Sequence, residues 1–267
     1  LLRCLDFQGA DYATRFLREV EALSRCADDT SATVAVVEDA ARSLALWMCF
    51  EDVIRVADLK SRRVRFEQVR AEVGVRPGEV LHITEMLKPG VEEVAAVLPR
   101  RLGEALMRTA SRRGWIGRAQ VGLHLPSTSA WGFVLLRLLA ALKPLRPHSL
   151  RQAEEDESMA AWCEALRTVL PRSVAYAAVL ARLPDVLKGY GDTQRRGRAH
   201  YARLWAEHVV PALAAPATLA DRAGAFAAAL EAALSLPPAD AAAAVAVTPQ
   251  PLRFFRNRPG AGAPPGG

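Results

Sequence analysis

SLRQAEEDESMAAWCEALRTV, residues 149–169, gives the clearest indication of the fold class. Ser149 is a favourable N-cap residue, and the acids that follow it stand early in the segment, where a helix dipole favours negative charge. Met159, Trp162, Leu166 and Val169 recur at steps of three and four, which places them on one face of a helix. The stretch therefore predicts a long helix with one buried side.

The same periodicity extends through most of the chain. Apolar residues make up 51% of the sequence and aromatics only 6%, a balance that favours helices over a β-sandwich. Two short segments with β-type residues, 80–84 and 120–125, predict a pair of antiparallel strands. The sequence thus predicts a mainly α fold, a multi-helix domain with a small two-stranded β element. The predicted helices cover residues 9–25, 34–57, 62–72, 91–98, 100–113, 130–142, 149–169, 172–187, 192–210 and 218–235.

The predicted organisation is one integrated domain with four parts. These are an N-terminal helical part (1–76), a small α+β insertion (77–126), a C-terminal helical part (127–247) and a disordered tail (248–267). Residues 62–72 are strongly charged and predict a solvated helix face. The chain begins inside a helical pattern without an initiator Met, so we expect it to be a piece of a longer polypeptide.

Charge and cysteine content narrow the classes of partner and site. A net charge of +6 permits anionic partners but is low for a dedicated nucleic-acid binder, which the sequence disfavours. The four cysteines are widely spaced and form no C-x-x-C pair, so no zinc or iron–sulfur motif is present. They predict reduced thiols and a cytoplasmic location. No apolar run is long enough for a membrane span, and we expect no membrane partner.

The segment KGYGDTQRRG, residues 188–197, is the main candidate site. It is consistent with a plain connector, in which Gly189 ends one helix and Asp192 caps the next. Cations in the first turns of a helix oppose its dipole, however, so Arg195, Arg196 and Arg198 are not expected for stability alone. An anion-binding or docking role is the alternative for this segment. Lys88, in a Lys-Pro-Gly turn, is a further candidate for that role. Pro89 in the same turn is equally consistent with a simple helix start. The candidate residues are Lys188, Gly189, Tyr190, Gly191, Asp192, Thr193, Arg195, Arg196 and Lys88.

The histidines and tryptophans give weaker evidence of a functional site. His82 and His124 are expected to face each other across the strand pair, but spacing alone does not make a metal site, and none is predicted. Trp47, Trp131, Trp162 and Trp205 fall on apolar helix faces and are expected in the core, whereas Trp115 lies in a turn. We find no nucleophile elbow, P-loop or dinucleotide fingerprint, so the catalytic residues are unknown.

Four phrases resemble the indolepyruvate oxidoreductase beta-subunit family. They are RSLALWMCFEDVIRVADLK at 42–60, EMLKPGVEE at 85–93, RGWIG at 113–117 and KGYGDTQRRG at 188–197. In order and spacing they are similar to the C-terminal helical domain of unknown function in that family and in the fused indolepyruvate ferredoxin oxidoreductases. The resemblance spans roughly residues 3 to 210. One departure is Gln194, where His is expected in many relatives, so proton chemistry at that position is not expected in this chain.

The resemblance implies a role within a larger enzyme. The family decarboxylates aryl-pyruvates oxidatively to acyl-CoA with thiamine diphosphate, iron–sulfur clusters and CoA, and those cofactors are implied to sit on other domains or subunits, with none bound by this segment. The leading hypothesis is an auxiliary domain of such a 2-oxoacid oxidoreductase, whose partner is another domain or subunit and possibly CoA. The alternative is a non-catalytic helical module that recognises an anionic ligand or protein partner.

Overall fold

The protein is described by a computed structural model, which covers residues 1–28, 30–76, 78–87, 89–118, 121–187 and 192–235. It contains thirteen α-helices and one two-stranded sheet in this described part, which confirms the mainly α prediction. The elements, in chain order, are α1 Leu2–Gln8, α2 Ala10–Ser24, α3 Ser31–Met48, α4 Val53–Ser61, α5 Arg63–Glu72, β1 Thr84–Leu87, α6 Val91–Val97, α7 Arg100–Arg112, β2 Leu123–Pro126, α8 Ala130–Ala140, α9 Leu150–Val169, α10 Val174–Arg182, α11 Asp192–Leu204, α12 Val210–Ala214 and α13 Leu219–Leu234.

Helix α9 lies at the centre of the fold, as the sequence predicts. Ser149 accepts a hydrogen bond from the Gln152 amide and caps the helix. The predicted stripe is buried, and Trp162 donates from Nε1 to the Leu180 carbonyl of α10 at 2.8 Å. The main core joins this stripe to helices α2, α3, α10 and α13, with Tyr176 and Phe226 among its largest side chains. A continuous apolar stripe on a long helix therefore organises the neighbouring helices around it.

The apolar pattern across residues 34–57 divides into two helices. Helix α3 ends at Met48, and Asp52 then caps α4 by accepting from the Arg55 amide at 2.6 Å. The charged segment α5 has no buried residue, which confirms the predicted solvated face. The C-terminal part continues α11 through a π-helical turn, Trp205–Val209, into α12, so Pro211 stands at a helix start.

The strand pair is present, but its first strand is displaced from the prediction. Strand β1 begins at Thr84 rather than Val80, and the antiparallel register places Met86 opposite His124. The expectation that His82 faces His124 is therefore wrong. Pairing with β2, and the packing of Leu87 against the small cluster of Ala57, Leu125 and Leu136, determine which residues form β1. The β-propensity of the residues does not contain this information.

Trp131 corrects a second expectation, because its side chain is 57% exposed on α8 instead of lying in the core. The predicted division into parts stays a prediction. Lys88, Lys188, Gly189, Tyr190, Gly191 and the tail 248–267 lie outside the described residues. No helix in the described ranges is both long and apolar enough to cross a membrane.

Candidate functional site

The predicted site residues that the structure describes lie in the first turns of α11. The helix begins at Asp192, which is its first residue, and Thr193, Arg195 and Arg196 follow. Lys88 and residues 188–191 lie outside the described ranges, so the structure describes only the part of the predicted turn that belongs to α11.

Glu92 connects the start of α11 to two other elements. It stands in the first turn of α6 and accepts a hydrogen bond from the Gly117 amide at 2.7 Å and from Nη1 of Arg195 at 3.3 Å. Gly117 has a φ of 70°, and a Cβ there would meet Arg195 Nη1 at 2.5 Å. The backbone conformation therefore favours glycine, and a side chain at this position would also displace the Arg195 guanidinium. We call Glu92, Gly117 and Arg195 the α6–α11 junction.

Three of the four phrases that carry the family resemblance meet at this junction. Glu92 belongs to phrase 85–93, Gly117 to phrase 113–117 and Arg195 to phrase 188–197. Phrase 42–60 joins the second phrase through an ion pair between Lys60 and the buried Glu85. Segments that are distant in sequence thus meet at two places, the α6–α11 junction and the Lys60–Glu85 ion pair.

A second group of charges, one helical turn along α11 from Arg195, ties α11 to α9. Nη2 of Arg198 donates to Glu155 Oε1 at 2.6 Å, and its Nη1 donates to Glu154 at 2.9 Å. The Glu155 carboxylate also pairs with Arg151 Nη2 at 2.7 Å and accepts from Trp47 Nε1 at 2.5 Å. We call Trp47, Arg151, Glu155 and Arg198 the Glu155 cluster. The cluster joins α3, α9 and α11 through one carboxylate that is 5% exposed.

The environment of the cluster shifts the pKa values of Arg151, of Arg198 and of the neighbouring Tyr201. Burial lowers the pKa of the Arg151 guanidinium, because Glu155 does not fully compensate for lost solvation. Burial also acts to lower the pKa of Arg198, but the carboxylates of Glu155 and Glu154 outweigh it and the net shift is upward. Burial, followed by the charge of Glu155, raises the pKa of Tyr201. Both arginines stay charged at neutral pH, so the cluster works as a fixed ionic group.

These contacts account for two of the three arginines that the sequence singled out. Arg195 and Arg198 face carboxylates from α6 and α9, so their presence near the N-terminus of α11 is balanced within the fold. The interpretation that stability alone does not call for these arginines stays a prediction, but at these two positions the fold supplies internal carboxylate partners. Arg196 differs, because its Nε is buried and has no hydrogen-bond acceptor in the described part of the chain.

Gly197 explains why α11 lies so close to its neighbour. A Cβ at this position would fall inside contact distance of the Val186 carbonyl oxygen, in the 3₁₀ segment Leu183–Leu187 that precedes the candidate turn. The last glycine of the 188–197 phrase is thus a packing requirement, and it sets the position from which Arg195 and Arg198 extend.

Sequence reasoning missed Glu155, although a signal for it existed. The stripe of α9 extends backward from Met159 to Glu155 and Gln152 at steps of four and three, and both are buried. Arg151 and Glu155 are also four apart, the spacing of a helical ion pair. A charged residue on the buried face of a helix requires a partner, so the pattern called for a cationic neighbour. Glu92 and Gly117 gave no comparable local signal.

The remaining candidates do not come together. His200 lies near Arg203 on α11, while His124 is on β2. Among the residues that the structure describes, no group of three or more potential metal ligands is found.

Comparison with known proteins places the chain in a family but assigns no activity. The chain belongs to a family of unknown function, DUF6537, whose model matches residues 1–207. No curated protein and no solved structure matches the chain. The matched range includes the α6–α11 junction and the Glu155 cluster.

Proposed function

We propose that this chain is an auxiliary domain of a 2-oxoacid oxidoreductase of the indolepyruvate type, and that the α6–α11 junction forms part of its docking surface for a catalytic domain or subunit. The observation that carries the proposal is that three of the four phrases resembling this enzyme family meet at Glu92.

The proposal assigns each junction residue a task. Glu92 holds the Gly117 turn and the Arg195 side chain together, which limits the positions that Arg195 can take before a partner binds. The Arg195 side chain is 45% exposed, so a partner can reach its guanidinium. The chemistry with thiamine diphosphate, iron–sulfur clusters and CoA belongs, by the resemblance, to other domains.

A second candidate function is binding of an anionic ligand such as CoA at the start of α11. Arg196 favours it, since this cation has a buried Nε without an acceptor in the described ranges. Phosphate groups are suited to an arginine beside a helix N-terminus. Titration calorimetry with CoA distinguishes the two functions, because the docking function predicts no heat of binding from the isolated chain.

The test of docking uses the complete gene product and two matched glycine variants. Gly117→Ala and Gly114→Ala both force a side chain onto a positive φ, of 70° and 65°, but only the first displaces Arg195. We expect each to lower the free energy of unfolding by about 1 kcal/mol. Gly117→Ala alone should reduce aryl-pyruvate-dependent reduction of a viologen dye several-fold, as should the double variant Arg195→Ala with Arg196→Ala.

Two results would remove the proposal. One is a complete reading frame and neighbouring genes that encode no 2-oxoacid oxidoreductase domain. The other is an enzyme in which Gly117→Ala and the double arginine variant assemble and turn over as Gly114→Ala does.

A further inference from the structure

The fold brings the thiols of two cysteines into contact. Cys4 lies in α1 and is fully buried, whereas Cys49 directly follows α3 and is half-buried. The Cys49 thiol donates a hydrogen bond to Sγ of Cys4, and the two sulfur atoms are 3.9 Å apart. The residues are 45 positions apart in the chain, so tertiary folding and not local spacing makes this contact.

The other two cysteines have different surroundings. All four cysteines of the chain lie in the described ranges, and all four are free thiols. Cys163 is buried in the main core, where burial, followed by the nearby Glu19, raises its pKa to about 12. Cys26 donates from Sγ to the Ala22 carbonyl at 3.4 Å. Cys4 and Cys49 are therefore the two thiols that the fold holds ready to react with each other.

The contact between the thiols favours loss of one proton. The hydrogen bond from Cys49 outweighs burial and lowers the pKa of Cys4 to about 7, and the same bond raises the pKa of Cys49. The charge of Arg55 acts on Cys49 in the opposite direction. That guanidinium is shared with the carboxylates of Asp6 and Asp58, at 2.8 and 3.3 Å. The pair thus holds one thiolate near neutral pH, and a proton shift between the sulfurs places it on either residue.

Cys49 lies where an oxidant can reach it and where the backbone can adjust. Its amide donates to the Leu46 carbonyl at the end of α3, and residues 50–52 after it are not helical. A disulfide needs a sulfur–sulfur distance of about 2 Å, so the two atoms must approach each other by about 2 Å. A rotation of the Cys49 side chain and a small shift of this non-helical segment supply that movement without opening α3.

We propose that Cys4 and Cys49 form a redox modification site, which a peroxide converts reversibly into an intramolecular disulfide. The Cys49 thiolate attacks one peroxide oxygen, the O–O bond breaks, and the departing oxygen takes a proton and leaves as water. Cys4 then attacks the sulfenic sulfur of Cys49 and expels its oxygen, which leaves as a second water with the Cys4 proton. The two thiols lose two electrons, and the peroxide gains them. A dithiol reverses the reaction by exchange.

The new bond would tie α1 to the end of α3. Cys4 stands two residues before Asp6, whose carboxylate pairs with Arg55 and Arg62. Closing a chain segment of this length restricts the unfolded state, so oxidation should raise the midpoint of thermal unfolding by about 5 °C. The site uses no residue of the α6–α11 junction, and the proposal holds whether or not the protein belongs to an oxidoreductase.

Peptide mapping of the oxidised protein tests the proposal. The reduced complete protein is treated with hydrogen peroxide at neutral pH, its remaining thiols are blocked with N-ethylmaleimide, and it is digested with trypsin without reductant. Trypsin places the four cysteines in separate peptides, 4–15, 26–42, 43–55 and 152–167. We expect mass spectrometry to find peptide 4–15 linked to 43–55, and dithiothreitol to separate them. The link should form at least about threefold faster than Cys26 is oxidised.

Two serine variants serve as a matched pair, since Cys26 and Cys49 are both half-buried thiols. Cys49→Ser should abolish the link and the rise in the unfolding midpoint, whereas Cys26→Ser should preserve both. Circular dichroism checks that each variant is folded, and the mapping of the wild type needs no substitution.

Four outcomes would overturn the proposal. They are a native wild type whose peptides 4–15 and 43–55 stay unlinked, links to Cys26 or Cys163 as frequent as the link between Cys4 and Cys49, a disulfide that joins two molecules on a non-reducing gel, and oxidation that dithiothreitol does not reverse.

Discussion

Arg198 and Glu155 are 43 residues apart in sequence, and in the folded protein Nη2 of the arginine donates to Oε1 of the carboxylate over 2.6 Å. The carboxylate is also held by Arg151 and Trp47, so it unites three helices. One end of the candidate site is therefore fixed by an internal ionic group.

Glu155→Gln should lower the free energy of unfolding by about 3–5 kcal/mol, because it leaves the largely buried Arg151 without a compensating charge. Glu157→Gln is the matched control on the same helix, where the pair with Arg100 is 63% and 52% exposed, and it should change the free energy by less than about 1 kcal/mol. Guanidinium denaturation followed by circular dichroism measures both. Equal effects of the two substitutions would contradict a special role for Glu155.

Asp52→Asn, at a second buried ion pair, should lower the free energy of unfolding by a similar amount. Arg146 donates from Nε to Asp52 at 2.7 Å with both side chains almost fully buried, and its Nη1 also donates to the Phe7 carbonyl. Asn still caps a helix well, so the loss of about 3–5 kcal/mol reports the unpaired arginine and not the cap. The exposed pair of Asp39 with Arg42 supplies the control Asp39→Asn, and a comparable loss there would refute the assignment.

Two helical glycines should respond to alanine in opposite directions. Gly197→Ala should destabilise the protein by about 1–3 kcal/mol, because the new Cβ meets the Val186 carbonyl and forces α11 away from its neighbour. Gly224→Ala in α13 meets nothing within 4 Å and should stabilise the protein by about 0.4–1 kcal/mol. Thermal unfolding of both variants checks the signs. Stabilisation by Gly197→Ala would show that α11 tolerates a wider separation.

The ion pairs of Asp6 should make the free energy of unfolding fall as the solution becomes acidic. The hydrogen bond from Arg62 lowers its pKa to about 2, opposed by burial and assisted by Arg55. Because the folded-state pKa lies below the ordinary value of 3.8, the stabilisation is present above about pH 4 and is lost as the pH falls toward 2. The side chain is 41% exposed, so solvent screening limits the effect to about 1 kcal/mol.

Unfolding curves of the wild type and Asp6→Asn between pH 5 and pH 2 measure this contribution. The difference between the two proteins should shrink as the pH falls. A difference that stays constant across that range would assign the stabilisation to packing instead of charge.

Sequence reasoning recovered the parts of the candidate site that depend on near neighbours. The start of α11, the buried stripe of α9 and the cap at Ser149 all follow from residues within one or two helical turns. The partners of Arg195 and Arg198 did not follow, since Glu92 and Glu155 come from helices elsewhere in the chain. For the same reason the exposure of Trp131 was missed, because an apolar periodicity does not state how many sides of a helix are covered.

The mainly helical class, most helix positions and the cap at Ser149 follow from the sequence, because each rests on interactions between residues three or four apart. The tertiary structure alone decided the strand register, the convergence on Glu92, the burial of Glu155 and the uncovered side of α8. Those properties depend on contacts between segments that are distant in the chain. These contacts form only when charged and apolar groups from different segments are buried together, so no single segment of the sequence specifies them.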